Sequence, residues 1–421
     1  MYPTLKQLNW PQIEAEILAF WEQESVFQQS VDQREGAPSF TFFEGPPSAN
    51  GMPGIHHVMA RAIKDIFCRY KTQQGFRVAR KGGWDTHGLP IELQVEKRLG
   101  IKKEDIGTKI SMEDYNKECR ADVLMFKDRW DELTRQIGYW VDLDHPYITY
   151  ENNYIESLWH LLKQLHQKGY LYKGYTIQPF SPAAGTGLSS HELNQPGTYQ
   201  NVKDTTIVAQ FQVQGTKDEY FLAWTTTPWT LPSNTALAVG KDIDYDQIET
   251  FNPYTGAKIK VTLASALVGK YFSAEGAEAP LDSYTPQQKI LPWRKLNTRK
   301  GSELAGTRYN QLLPYAQPEE GDAFRVVIGD FVSTEDGTGI VHIAPSFGAD
   351  DFKTARENGI GALTLVDKKG KFLACVTDFA EEFVKEAYLS EEEKAAEAQK
   401  QGRDKYLSVD ERIAIKLKQE N

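Results

Sequence analysis

Gly45-Pro-Pro-Ser-Ala-Asn-Gly-Met-Pro-Gly-Ile-His-His57 and Gly83-Trp-Asp-Thr-His-Gly-Leu-Pro-Ile-Glu92 lie one crossover apart in the chain. The prolines and glycines of Pro46 to Pro53 forbid a helix and make that stretch a turn. Before it, Phe40 to Phe43 read as a short buried strand. After it, Val58 to Tyr70 read as a helix with Val58, Ala62, Ile66 and Tyr70 on one stripe. Phe76 to Ala79 then return as a second strand. A strand, helix, strand unit of this length requires parallel pairing with a right-handed crossover, so both strands end on one edge. Pro46, His57 and Asp85 are therefore expected on one crevice. Free amides and the positive dipole end at the helix start favour phosphate there, which makes this half of an α/β nucleotide-binding fold.

Working outward, Gln12 to Phe27 predict an amphipathic helix and Gly36 to Pro38 a turn. Residues 112 to 136 carry charge interspersed with Tyr115, Leu124, Phe126 and Trp130, the pattern of a surface helix packing one face. Ile155 to Lys168 predict a helix with Leu158, Leu161, Leu162 and Leu165 inward and Gly169 as its stop. Ser181 to Gly187 mark the exit from this half. The pattern then turns to β: Ile207, Ala209, Phe211 and Val213 alternate, Gly215 to Asp218 form a turn, and Tyr220 to Trp224 return as the partner strand. The expected organisation is a helical segment at 1–38, the half-fold at 39–190, an inserted β-rich domain at 195–390 and a charged helical return at 391–421. Ser408 and Glu411 carry a capping-box signature for a last helix.

The 421 residues, 40% hydrophobic and 25% charged, are ordinary globular material for two or three domains. A net charge of −10 argues against a general nucleic-acid-binding surface, though a local basic path can still serve. The three cysteines, Cys68, Cys119 and Cys375, are widely spaced and match no pairing or metal pattern, which points to a reducing, cytoplasmic setting. The start, Met1-Tyr-Pro-Thr-Leu-Lys, has no apolar signal core, and no stretch approaches a membrane span.

The segments at 45–57 and 83–92 resemble those of the class I aminoacyl-tRNA synthetases, and within that family the isoleucine-specific branch. The resemblance implies the first half of a Rossmann-like catalytic domain with an inserted editing domain. In the family the first segment holds the HIGH signature, whose histidines meet the ATP phosphates. Here it reads Gly54-Ile-His-His57: the last histidine is kept, the first has become Gly54, and the glycine has become His56. The resemblance gives the ATP role to His57, with His56 as a substitute partner, and places Asn50, Gly51 and Gly54 on the nucleotide. Gly45 and Pro46 would border the side-chain pocket, Asp85 would accept the amino acid's α-ammonium, and His87 would lie beside it. A charge-assisted bond suits such capture.

Trp224-Thr-Thr-Thr-Pro-Trp-Thr-Leu-Pro-Ser-Asn234 and Gly337-Thr-Gly-Ile-Val-His-Ile-Ala-Pro-Ser-Phe-Gly-Ala-Asp-Asp351 are similar to the two halves of that branch's editing site. The valine and leucine relatives would show arginine where Thr227 stands. The resemblance implies catalytic roles for Thr225, Thr226, Thr227 and Asp351, with Asn234 and His342 on the substrate. One methylene in an apolar pocket is worth only about 1–3 kcal/mol, a limit established on enzymes of this kind, so rejecting valine requires a second, smaller site. Threonine hydroxyls donate and accept, which suits orienting a water and a terminal ribose, and Asp351, or Asp350, suits an ammonium. Positioning a water is sufficient for an ester that is already activated. The implied partners are isoleucine tRNA, L-isoleucine, ATP with Mg²⁺, and valine as editing substrate, in a protein monomeric as the full enzyme. The family's KMSKS loop and anticodon domain have no match after Asp351, so the chain is expected to be a front part unable to aminoacylate alone.

Plainer uses fit the same residues. Threonines favour strands, and paired aspartates commonly open helices. Two rival functions fit the same residues: a metal-dependent hydrolase built on His56, His57, Asp85 and His87, and a non-catalytic tRNA-binding module. Adjacent histidines are poor ligand spacing, and no metal site is expected in this chain.

Overall fold

The computed structural model describes residues 8–181, 184–282 and 284–420. Pro182 and Ala183, inside the expected exit loop, and the expected signal-free start at residues 1–6 lie outside the described residues. The chain divides into two units after Gly174.

The first unit runs α1 (Trp10–Gln23), α2 (Val26–Asp32), α3 (Ile55–Gln73), β1 (Lys81–Trp84), α4 (Leu89–Leu99), α5 (Met112–Val123), α6 (Lys127–Gln136), β2 (Asp142–Ile148) and α7 (Asn152–Gln167). The single helix expected at Gln12 to Phe27 is two, broken at Ser25, which adopts φ 50. The strands expected at Phe40 to Phe43 and Phe76 to Ala79 contract to one bridge, Ser39 with Arg77, parallel as anticipated. Backbone bonds from Phe40 to Arg77 (3.0 Å) and from Arg77 to Pro38 (2.9 Å) hold it. Regular pairing begins a little later, where β1 runs parallel to β2.

Helix α3 forms as its pattern predicts, but with the opposite face inward. Arg61, Cys68 and Thr72 are its buried residues, while Ile66 and Tyr70 of the expected stripe are exposed beside Met59, Ile63 and Phe67. Aromatic and hydroxyl partners explain the choice: the Arg61 guanidinium lies 4.8 Å over Trp130 and bonds Thr134. Helix α7 also forms, and Leu158, Leu161, Leu162 and Leu165, expected inward, stay exposed. The helix expected over 112–136 breaks between α5 and α6 because Phe126 gives its N–H to Ala49 while Leu124 and Phe126 pack on Trp84 and Trp130.

The second unit contains β3 (Phe180–Ser181), β4 (Thr186–Gly187), α8 (Ser190–Leu193), β5 (Ile207–Gln212), β6 (Glu219–Thr225), β7 (Ala236–Val239), β8 (Asp244–Phe251) and β9 (Lys258–Ala264). It continues through α9 (Val268–Tyr271), α10 (Ala274–Glu278), β10 (Arg294–Lys300), α11 (Gly301–Leu304), β11 (Arg325–Ile328), β12 (Ile340–Ile343), α12 (Ala349–Glu357), α13 (Glu391–Lys400) and α14 (Val409–Glu420). One sheet has the order β10-β8-β9-β6-β5 and another the order β11-β7-β12. The expected hairpin is β5 against β6, with Phe211 facing Phe221 and Ile207 facing Thr225. Alternation aims Ala209 and Phe211 inward, where they meet Leu231, Leu237, Tyr245, Leu304 and Tyr309.

The return segment does not stand apart as 391–421. Ser408 and Glu411 cap α14 reciprocally, as expected, and Val409, Ile413 and Leu417 enter the main core of the β unit. Its apolar i, i+4, i+8 stripe needs burial, and the β unit supplies it. The unit boundary likewise falls at Gly174 rather than near 190. No helix among the described residues is long and apolar enough to cross a membrane.

Candidate active sites

In the first unit, the loop from Glu44 to Gly54 is pinned from several sides. Trp130 Nε1 donates to the Gly51 carbonyl at 2.8 Å, Phe126 bonds Ala49 at 2.9 Å, and Asn50 accepts none of this but donates to Gln94 at 3.3 Å. The Tyr147 hydroxyl donates to the Glu44 carbonyl at 3.0 Å. That close crossing requires Gly83, where a Cβ would fall 2.2 Å from the Tyr147 ring. Asp85 bonds Pro47 through its backbone N–H, which ties the end of β1 to the same loop. Its half-buried carboxylate accepts the His87 amide at 3.4 Å.

His57 stands in the first turn of α3, and its Nδ1 accepts the Gly54 N–H at 2.9 Å. The neutral ring then carries its hydrogen on Nε2, where it can donate to an anion. Burial, reinforced by His56 and Arg61, lowers its pKa and favours that neutral form. The exposed His56 ring folds back on His57 with centroids 3.7 Å apart, and His57 meets Trp130 at 4.6 Å. Gly54 makes the room, since a Cβ there would lie 2.9 Å from His56 Cε1. His87 turns its Nδ1 to Thr149 at 3.1 Å and His57 turns its Nδ1 to Gly54, so neither ring directs that nitrogen toward a shared metal position. No group of three or more metal-capable side chains gathers among the described residues. Gly45 is exposed and Pro46 half-buried beside this loop.

In the second unit, Thr225 ends β6, and a 3₁₀ turn over Pro228–Ser233 follows. Such a turn brings residues three apart onto one edge, and Thr227 and Thr230 use it. Thr225 Oγ1 lies 3.3 Å from Thr227 Oγ1, which is 3.4 Å from Thr230 Oγ1, and Thr230 Oγ1 is 3.0 Å from His342 Nε2. Thr226 is exposed beside this row, while Thr225, Thr230 and His342 are buried. Burial pushes the His342 pKa down to about 4, so the imidazole is neutral near pH 7.

Asp351 sits in the first turn of α12 and bends back so that Oδ2 accepts the Ala344 N–H at 2.9 Å. Burial raises its carboxyl to about 6, with Asp350 adding to the rise and the Ala344 bond opposing it. Asp350 itself is exposed, the plainer use expected for the pair. Phe347 packs edge-on against Trp229 at 4.9 Å, so the loop before α12 touches the threonine turn. Asn234, expected on the substrate, is instead a buried brace: it accepts from Tyr309 at 2.6 Å and donates to the Ala236 carbonyl at 2.9 Å. Thr230 was not singled out from the sequence. Its signal was its position three residues past Thr227 with proline at the turn start.

A family model described as tRNA synthetases class I (I, L, M and V) matches residues 16–407. The chain belongs to the class I tRNA synthetases. An isoleucine--tRNA ligase of Cytophaga hutchinsonii is 62% identical over 99% of this chain, which spans 39% of that protein. Isoleucine--tRNA ligases of Bacteroides fragilis and Porphyromonas gingivalis are 60% and 61% identical over 87% of it, and it covers 32% and 33% of them. This class I chain therefore spans about two-fifths or less of the relatives it matches. Its α/β half-fold followed by a β-rich unit accords with that membership, and the rival hydrolase and binding-module readings gain no support from these matches.

Proposed function

We propose that the protein to which this chain belongs is an isoleucine-specific tRNA ligase. It activates L-isoleucine with ATP and Mg²⁺, transfers it to the ribose of isoleucine tRNA, and clears valine by hydrolysis in the second unit. The observation that carries this reading is the row Thr225, Thr227, Thr230 and His342, together with the half-buried Asp351, which bonds the Ala344 amide two residues after His342 and whose preceding loop packs Phe347 on Trp229 of the threonine turn. A row of hydroxyls ending on a neutral imidazole positions water and ribose without a strong nucleophile, and Asp351 takes the ammonium of the misattached amino acid. Buried His342 narrows the space against isoleucine.

In the first unit, His57 Nε2–H and the positive N-terminal end of α3 suit the ATP phosphates, with Asn50, Gly51 and Gly54 framing the nucleotide. Asp85 suits the isoleucine ammonium, and Gly45 and Pro46 border its side chain. Mg²⁺ would enter with the triphosphate, where it neutralises charge, since this ion is typically held by phosphates and few carboxylates. The protein works as a monomer in the cytoplasm.

The decisive experiment is hydrolysis of valyl and isoleucyl esters of isoleucine tRNA by this chain without ATP. Selective loss of the valyl ester is the expected result. Equal hydrolysis of both, or of neither even with the full-length protein, would refute the assignment.

A further inference from the structure

Asp410, at the start of α14, is 2% exposed, and none of the chemistry above uses it. Its Oδ1 accepts the backbone N–H of Trp229 at 2.8 Å, and its Oδ2 pairs with Lys385 Nζ at 2.8 Å. The same ammonium holds Asp204 Oδ2 at 2.5 Å. Three distant stretches thus meet at one cation: the segment leading into β5, the segment before α13, and α14.

Trp229 is the second residue of the 3₁₀ turn, one before Thr230. Pro228 has no N–H, and the first amides of a helical turn lack internal partners, so the Trp229 amide needs an acceptor from elsewhere. Asp410 supplies a charged one, which bonds more strongly than a neutral carbonyl. A buried carboxylate with its counter-ion is a costly way to stabilise a fold, and an apolar contact would serve stability better. The costly choice stands directly behind the turn that carries Thr230, whose neighbour Trp229 also packs on Phe347 of the Asp351 loop.

We propose that Asp410, with Lys385 as its counter-ion, is a positioning residue of the hydrolytic site. It fixes the turn at Trp229 and thereby the spacing of Thr227, Thr230 and His342. This rests on the hydrolysis proposed above, and its test has one readout that does not depend on hydrolysis.

The experiment compares the full chain with Asp410→Ala, Asp410→Asn and Lys385→Met, by valyl-ester hydrolysis and by amide hydrogen exchange over residues 225–233. Small misplacements of reacting groups cost about 10²-fold in rate, so Asp410→Ala should lower kcat by about 10- to 100-fold with KM little changed. It should also lose exchange protection at Trp229. Asp410→Asn keeps an acceptor and should restore both readouts to within a few-fold of the original. Lys385→Met should lower kcat several-fold at unchanged KM, and it carries the test if Asp410→Ala does not fold. Unchanged protection of Trp229 in Asp410→Ala, an unaltered kcat in either Asp410→Ala or Lys385→Met, or an asparagine variant as slow as alanine would overturn the proposal. Absence of hydrolysis by the unsubstituted chain would instead count against the proposed function, and the exchange data would still decide the clamp.

Discussion

His342 Nε2 lies 3.0 Å from Thr230 Oγ1, and that hydroxyl's own hydrogen points to the Thr227 carbonyl at 2.8 Å. The imidazole must therefore donate through Nε2, and Nδ1 is left buried without a partner among the described residues. A ring so enclosed stays neutral, with its pKa at about 4 against 6.5 for a free histidine. As pH falls from 6.5 toward 4, the unfolded chain takes up a proton before the folded one, and stability is lost by up to about 3 kcal/mol. His342→Gln can still donate to Thr230 but does not titrate. Its stability relative to the parent should thus improve steadily between pH 6.5 and 4, in urea midpoints measured at pH 7, 5.5 and 4.5. A constant difference would show that the ring is not held neutral.

Asp351 titrates with the opposite sign. Its folded value of about 6 exceeds the ordinary 3.8, so the folded chain protonates first and the charged form above pH 6 is a destabilising one, by about 3 kcal/mol. Asp351→Asn, which keeps an acceptor for the Ala344 amide, should be more stable than the parent at pH 7.5. That advantage should vanish near pH 4. The same substitution should abolish valyl-ester hydrolysis, and the parent's rate should rise as pH climbs through about 6. An asparagine variant less stable than its parent at pH 7.5 would mean that the carboxylate is held by favourable charge rather than by burial.

Local pattern reached the β5–β6 hairpin, α3, α7 and the cap of α14 because alternation, helical period and the Ser408–Glu411 box are written into neighbouring residues. Local pattern did not reach which face of α3 is buried. There Arg61 finds Trp130 and Thr134 far away in the chain, a partnership that no periodicity encodes. The site was legible as residue types at fixed spacing. What the spacing hid was function within it: Asn234 looks like a ligand and is a brace to Tyr309, while Thr230 looks like turn filler and links the threonines to His342.

The exposed faces of α3 and α7 carry a consequence for solution behaviour. Met59, Ile63, Ile66, Phe67 and Tyr70 on one helix, and Trp159, Leu161, Leu162 and Leu165 on the other, leave far more apolar surface in water than scattered single residues would. The chain should associate with rising concentration, despite a net charge of −10. Replacing Trp159 and Leu161 with lysine should lower the sedimentation-average mass and leave the unfolding free energy within about 1 kcal/mol, because surface changes rarely do more. Monodisperse behaviour of the unsubstituted chain at all concentrations would remove the premise.

The last prediction separates the two histidines at the start of α3. His57 Nδ1 is committed to Gly54, so its Nε2–H is the donor, whereas His56 only stacks on it from the exposed side. In the full-length protein, His57→Ala should slow ATP–pyrophosphate exchange by about 10²–10³-fold, the usual loss for one donor to a charge-bearing transition state. Valyl-ester hydrolysis should be unchanged, because the threonine row does not involve this helix. Gly54→Ala then tests His56. Its backbone, at φ −105, accepts alanine, but the new Cβ would sit 2.9 Å from His56 Cε1 and force that ring away. If His56 replaces the missing first histidine, Gly54→Ala and His56→Ala should slow exchange equally, while a silent Gly54→Ala beside an impaired His57→Ala would leave His57 as the sole histidine acting on the phosphates.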